Sequence, residues 1–167
     1  MFSNITTRDL CASDQDDLHD MASHWPTVRQ LGGWPWPADL SFTASRARPF
    51  DGEGFVWGIV RAGRVIGTVG VTNGSLGYML HSDVWGQGIA TALAGRAIAH
   101  AFDTTDHDRI DATVWADNAG SRRVLDKLGL NHWHTCFEYA KARRTPMLSH
   151  HLRLRRAQWR DLSADAQ

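Results

Sequence analysis

The spacing of hydrophobic residues changes period several times along this 167-residue chain. The opening Ile5-Thr6-Thr7-Arg8-Asp9-Leu10 reads as a short edge strand. Ser13 offers an N-cap for a helix over Asp14 to Met21, with Asp16 and Asp17 placed early, where the helix dipole favours acids. Trp25-Pro26 ends that helix, and two glycines and two prolines between Gly32 and Pro37 forbid regular structure. Leu40 to Arg48 reads as a second helix. Gly54 to Val60 and Val65 to Val71 are β-rich runs joined at Arg61-Ala62-Gly63-Arg64, and Asn73-Gly74 turns into a third strand over Leu76 to His81. The period then shifts: Ile89, Leu93, Ala97, Ile98 and Ala101 fall at helical spacing within Ile89 to Phe102. Arg109 to Trp115 alternates as a strand, and Asn118 to Leu128 is an amphipathic helix that Gly129 is placed to stop. Leu130 to Tyr139 and Met147 to Arg155 read as two closing strands. The order is N-terminal helices, an antiparallel meander, then β-α-β-α-β-β. This predicts a mixed α/β (α+β) single domain.

Composition narrows the class. Eighteen basic and eighteen acidic side chains cancel, and 43% of residues are apolar. Nucleic-acid proteins carry a basic surplus, so no nucleic-acid partner is expected. No apolar run approaches a membrane span, and Met1 to Asp9 lacks the apolar core of a signal peptide. Cys11 and Cys136 lie far apart without a CxxC context, so neither a disulfide framework nor a zinc site is indicated. The expectation is a cytoplasmic protein with no membrane partner and reduced thiols.

The candidate chemistry begins at Gly86-Gln87-Gly88-Ile89-Ala90-Thr91, a glycine turn between a strand and a helix. Amides in a helix's first turn have no intrahelical partners, and the dipole adds positive charge, so the turn suits a pyrophosphate. Gly86 and Gly88 let phosphates approach the backbone, and Thr91 adds a hydroxyl donor. A P-loop would need Gly-Lys-Ser/Thr, and no lysine follows Gly88. A Rossmann turn would need a parallel β-α-β unit and a third glycine. Local sequence alone leaves a nucleotide turn and a turn that merely packs at even odds.

Two blocks resolve this by resemblance. Trp85-Gly86-Gln87-Gly88-Ile89-Ala90 resembles the (Arg/Gln)-x-x-Gly-x-(Gly/Ala) cofactor motif of the GCN5-related N-acetyltransferase (GNAT) superfamily. Trp85 in the first position is similar to the branch related to ribosomal-protein-alanine N-acetyltransferases. Asn118 to Leu130, with Asn118, Ser121, Leu125, Lys127 and Gly129 in place, resembles that branch's second block, Leu130 replacing its aromatic. Leu152 to Trp159 fits its ending. The resemblance is strong from Gly54 to Leu130 and weak before Gly54.

The resemblance implies a GNAT fold with a splayed central sheet and acetyl-CoA as co-substrate. It implies acetyl transfer to a primary amine, either a protein N-terminal α-amine or a small molecule. The cofactor would be held by Leu80, His81, Trp85 to Thr91, Asn118 and Ser121. Its pantetheine arm would run along Tyr78 to His81, where the family has a bulge, and amides near Leu80 would stabilise the oxyanion. Residues 54–130 would be the acetyl-CoA-binding core, 1–53 the acceptor-site part and 131–167 the closing strands. Ser121 matches a donor to the thioester sulfur, and Glu138 matches a catalytic glutamate with a shorter spacing from Ser121. Trp34 and Trp36, in the loop that would cover the acceptor, are the candidate substrate-binding aromatics.

Read as residues alone, these groups have plainer roles: Asn118 as an N-cap, Ser121 and Glu138 as solvated polar side chains, and the tryptophans as packing. Asp83, His81 and Glu53 are weaker candidates for the base. His132 and His134, at i and i+2, would share a strand face as a metal pair, but no third ligand has a motif spacing, so no metal is expected. His150 and His151 point to opposite faces of a strand. Lys141, Arg143 and Arg144 read as a solvated basic loop that could meet the adenosine 3′-phosphate. Eight tryptophans and the closing strands are compatible with a homodimer. Two other functions fit the same residues: an acyl-CoA-binding sensor or interaction module without turnover, and an NAD- or nucleotide-binding protein using the glycine turn.

Overall fold

The structure is a computed structural model that describes residues 4–164. Residues 1–3 and 165–167, the ends of the acceptor-site and closing segments, lie outside it. The elements are strand β1 (Ile5–Asp9), helices α1 (Gln15–Ala22), α2 (Trp25–Val28) and α3 (Leu40–Arg46), strands β2 (Gly54–Arg61), β3 (Arg64–Thr72) and β4 (Ser75–Leu80), helix α4 (Ile89–Thr104), strand β5 (Arg109–Trp115), helix α5 (Ala119–Lys127), strands β6 (Asn131–Ala140) and β7 (Thr145–Arg155), and helix α6 (Arg156–Ala164). They form one seven-stranded sheet in the order β1-β2-β3-β4-β5-β7-β6. This is the expected mixed α/β architecture.

The helices sit on the sheet because their apolar stripes must be buried. Ile89, Leu93, Ala97, Ile98 and Ala101 of α4 pack with Val69, Val71, Ile110, Val114 and Leu152 of the strands. On the other face Leu18 and Met21 of α1 pack with Leu10, Val65 and Met79. β4 belongs to both cores, since successive side chains of a strand point to opposite faces.

The N-terminal helix is capped differently from expectation. A 3₁₀ turn over Ala12–Asp14 precedes α1, and Ser13 does not cap it. Asp14 is the N-cap of α1 but gives it no side-chain bond; its carboxylate instead closes the 3₁₀ turn, accepting the Cys11 N–H at 2.8 Å and both Arg8 guanidinium N–H groups at 2.7 Å. Arg8 holds the Asp14 carboxyl below the usual carboxylate range. The C-terminus also differs, because the chain does not end on a closing strand. Helix α6 follows β7, and the Arg156 guanidinium anchors it by donating to the carbonyls of Phe102, Thr105 and His107 at the end of α4.

β6 and β7 pair across their lengths, but the register shifts between His132 and His134. That bulge overturns the expected histidine pair, because an inserted residue reverses the alternation. His132 Nε2 meets Thr135 Oγ1 at 2.7 Å, which in turn meets His150 Nδ1 at 2.9 Å. His134 stacks instead near His151, ring centroids 5.5 Å apart.

Candidate active site

The sheet opens at its centre. β4 and β5 run parallel, yet Ser75 with Asp111 is their one registered pair among the described residues. Peptide direction alternates along a strand. His81 donates to Ile66 of β3 at 2.8 Å, and Asp111 donates to Gly74 at 2.9 Å. The peptides of Tyr78 and Leu80 therefore face β5, across a gap where β5 has left. The expected bulge in this strand is absent: β3 and β4 keep regular register from Thr72–Ser75 to Gly67–Leu80. The splay comes from divergence of β5.

The glycine turn lies where the slot ends. Gly86 and Gly88 have φ of 74° and 79°, a left-handed conformation in which a Cβ would crowd the backbone. Gly88 is the N-cap of α4 and supplies no side-chain cap. The first intrahelical bond runs from Ala92 N–H to Gly88 O at 3.1 Å, so the amides of Ile89, Ala90 and Thr91 precede the ladder. A Cβ on Gly86 would meet nothing within 4 Å, which leaves open space over the turn. This cradle of uncapped amides fits a pyrophosphate.

Three of the expected cofactor contacts have other duties. The Trp85 indole N–H donates to Leu80 O at 2.9 Å, tying the turn to the end of β4 and leaving the Leu80 N–H to the slot. His81 does not line the cavity. Its Nδ1 accepts the Asp83 N–H at 3.3 Å, and its Nε2 lies 3.3 Å from Asp20 of α1. The Gln87 side chain also lies outside it, donating to Asp83 O at 3.0 Å and accepting from Arg61 at 3.2 Å.

Asn118 caps α5 as expected, its Oδ1 accepting the Ser121 N–H at 3.0 Å. That cap turns the Ser121 hydroxyl toward β4, where it lies 2.7 Å from the Tyr78 phenol. Burial pushes Tyr78 up to about 12, against the opposing effect of its hydrogen bond to Ser121, so the phenol keeps its proton at neutral pH. In the sequence Tyr78 marks only the start of the strand along which the pantetheine would run, with no role for its phenol. Arg123 and Lys127 of α5 also line the cavity; neither is among the sequence-derived site candidates, although their spacing of four signals a shared helical face.

The cavity around these groups has a volume of 1410 Å³ and continues from the glycine turn to the N-terminal segment. Trp34, Arg46 and Phe50 line it from that segment, and Glu138 and Ser149 line it from β6 and β7. Trp36 does not; it stacks on Trp25 with centroids 5.2 Å apart, and its carbonyl accepts from Arg144 at 3.0 Å. The basic loop of the β6–β7 hairpin is likewise a clasp. Arg143 donates to both Asp117 oxygens at 2.7 and 2.9 Å, to Arg29 O at 2.8 Å and to Gln30 at 3.0 Å. It holds the Asp117 carboxyl below the usual carboxylate range, with Arg29 adding to the effect. Lys141 lies over the Phe42 ring at 4.7 Å. Among the described residues, no helix is long and apolar enough to cross a membrane.

Residues 4–131 match the acetyltransferase (GNAT) domain family. The chain belongs to that family. A GNAT relative, the uncharacterized N-acetyltransferase YoaA of Bacillus subtilis (strain 168), is 28% identical over 103 residues, covering 56% of this chain and 58% of its own length. The chain thus spans less than two thirds of that relative. Solved GNAT structures share the fold at low identity. A spermidine N-acetyltransferase from Vibrio cholerae, in complex with CoA and spermine, superposes with a TM-score of 0.78 at 15% identity, covering 94% of this chain and 98% of that one. A ribosomal-protein-S5-alanine acetyltransferase from Vibrio fischeri gives 0.71 at 20% identity, covering 95% and 97%.

Proposed function

We propose that this chain transfers an acetyl group from acetyl-CoA to a primary amine by direct attack on the thioester. The observation that carries the reading is the open slot between β4 and β5, with uncapped helix amides at one end and the Tyr78–Ser121 pair beside it. Amides of Ile89 to Thr91 bind the pyrophosphate, and the exposed peptides of Tyr78 and Leu80 give the pantetheine a strand-like partner. The Leu80 N–H, held by the Trp85 bond to its carbonyl, is aimed to stabilise charge on the thioester oxygen.

The remaining chemistry is proton management. An alkyl ammonium titrates near ~10, so the amine needs a base to become a nucleophile at neutral pH. Glu138, which lines the cavity from β6, is that base. The leaving sulfur needs a donor: Ser121 gives it a hydrogen bond while accepting one from the neutral Tyr78 phenol. The acceptor is a protein N-terminal α-amine or a small-molecule amine, received between Trp34, Phe50 and Glu138. The fold neighbours include a ribosomal-protein-S5-alanine acetyltransferase and a spermidine N-acetyltransferase, one of each class. Two free cysteines suit the reducing cytoplasm as the compartment.

Calorimetric titration with CoA, NAD and ATP, followed by thiol release from acetyl-CoA across N-terminal peptides, polyamines, aminoglycosides and amino acids, tests this. Saturable binding of CoA alone, with thiol release for one acceptor class, is expected. An absence of CoA binding would sink the reading. CoA binding without turnover on any acceptor would leave an acyl-CoA-binding module in its place.

A further inference from the structure

The β6–β7 hairpin carries a second cluster that no motif spacing announced. Cys136, Glu138 and His151 bring one sulfur, one carboxylate oxygen and one ring nitrogen within 4.8 Å of one another. Cys136 Sγ lies 3.3 Å from His151 Nε2, and Glu138 Oε2 lies 3.5 Å from the same nitrogen. A catalytic relay would place thiol and carboxylate on opposite ring nitrogens, so that a proton could pass through the imidazole. Here both converge on one. A single ring nitrogen carries at most one proton and cannot serve two acceptors well.

We propose that Cys136, Glu138 and His151 form a three-ligand site for a divalent cation of the zinc class. The distances fit. Tetrahedral bonds of about 2.3 Å to sulfur and about 2.0–2.1 Å to nitrogen and oxygen place sulfur and nitrogen roughly 3.6 Å apart, and nitrogen and oxygen roughly 3.4 Å apart. The chemistry fits as well. Thiolate, imidazole and carboxylate are the donors that borderline-soft cations take, and hard calcium or magnesium sites are built from oxygen. On binding, the Cys136 thiol gives its proton to solvent, so thiolate and carboxylate together balance the charge of a divalent ion. All three side chains are half-buried, and a fourth position remains for water.

Glu138 belongs to this cluster and to the cavity lining. With a cation bound, its carboxylate is a ligand and no longer accepts the amine's proton; this consequence rests on the proposed function, whereas the site itself does not.

The test is titration of the full chain, stripped with chelator, with cobalt(II) and zinc(II). One saturable equivalent and a cysteinate-to-cobalt charge-transfer band are expected. C136S and H151Q should each weaken cobalt binding by more than about 100-fold, beyond the upper end of what loss of an outer-shell partner costs. C11S should leave it unchanged. Zinc should also protect Cys136, but not Cys11, from alkylation read by mass spectrometry. A missing charge-transfer band, or binding indifferent to C136S in a chain that still melts cooperatively, would overturn the site. Zinc saturation that leaves acetyl transfer unchanged would overturn the withdrawal of Glu138 while the site stands. Neither readout of the metal depends on turnover, so failure of the proposed function registers separately.

Discussion

The two ends of the cavity are built on different principles. At one end, six consecutive residues from Gly86 to Thr91 present backbone amides from two left-handed glycines and an uncapped helix start. The larger side chains here are turned to other partners: Gln87 faces away, and Trp85, just before the turn, braces β4. At the other end Trp34, Arg46 and Phe50 line the cavity from the N-terminal segment and Glu138 from β6, while Arg143 in the β6–β7 loop ties Arg29, Gln30 and Asp117 together. An amide cradle depends on local conformation and serves any ligand with a pyrophosphate. A pocket of distant side chains depends on the whole fold, and its selectivity is correspondingly free to vary. Under the proposed function, the difference separates what would hold the donor from what would choose the acceptor.

Substitutions that strike one end should spare the other. The largest effect is expected for Glu138→Gln, measured with chelator present: kcat falls by roughly 10²-fold or more, the scale of general-base catalysis, with CoA affinity unchanged. Weakened CoA binding by this variant would dissolve the distinction between the ends. Next comes Arg143→Ala. Its side chain is only 8% exposed, but Asp117 is 38% exposed and water screens the pair, so a loss of about 1–3 kcal/mol is expected in denaturant unfolding. The acceptor KM should rise with it.

Gly88→Ala attacks the donor end. Holding alanine at a φ of 79° costs about 1–2 kcal/mol, which predicts CoA binding weakened roughly tenfold with an unaltered acceptor KM. Should the acceptor KM shift instead, the turn is not the donor site. The smallest effect concerns acid. Arg143 lowers the Asp117 pKa in the folded state, so the pair's contribution is complete above the unfolded carboxylate value of about 3.9 and is lost as pH falls through the lower folded value. The stability gap between the protein and Asp117→Asn should therefore be constant near neutrality and shrink below about pH 4. A gap that stayed constant through that acid range would remove the ion pair as its cause.

Much of the fold was legible because its signals are local. Periods of two and of 3.6 marked the meander, α4, β5 and α5, and Asn118 and Gly129 marked the ends of α5, since caps are read from neighbours in the chain. Helix α6 was missed: it is tied down by Arg156 reaching the end of α4, a contact between segments about fifty residues apart. The bulge at His132–His134 was missed too, because register is a property of two strands, and it moved the two histidines to opposite faces.

The sequence by itself determined the glycine turn, because φ, amide direction and helix start are set within a few residues of Gly86 and Gly88. It also placed Asn118 and Ser121 next to one another on one helical turn. Only the tertiary structure turned Ser121 onto Tyr78, assigned Trp85 to Leu80, made Arg143 a clasp for Asp117 and gathered Cys136, Glu138 and His151 across a hairpin. The Trp85 bond spans only five residues and ends on a backbone carbonyl. The other three join side chains whose separation is fixed by strand pairing and helix packing rather than by distance along the chain.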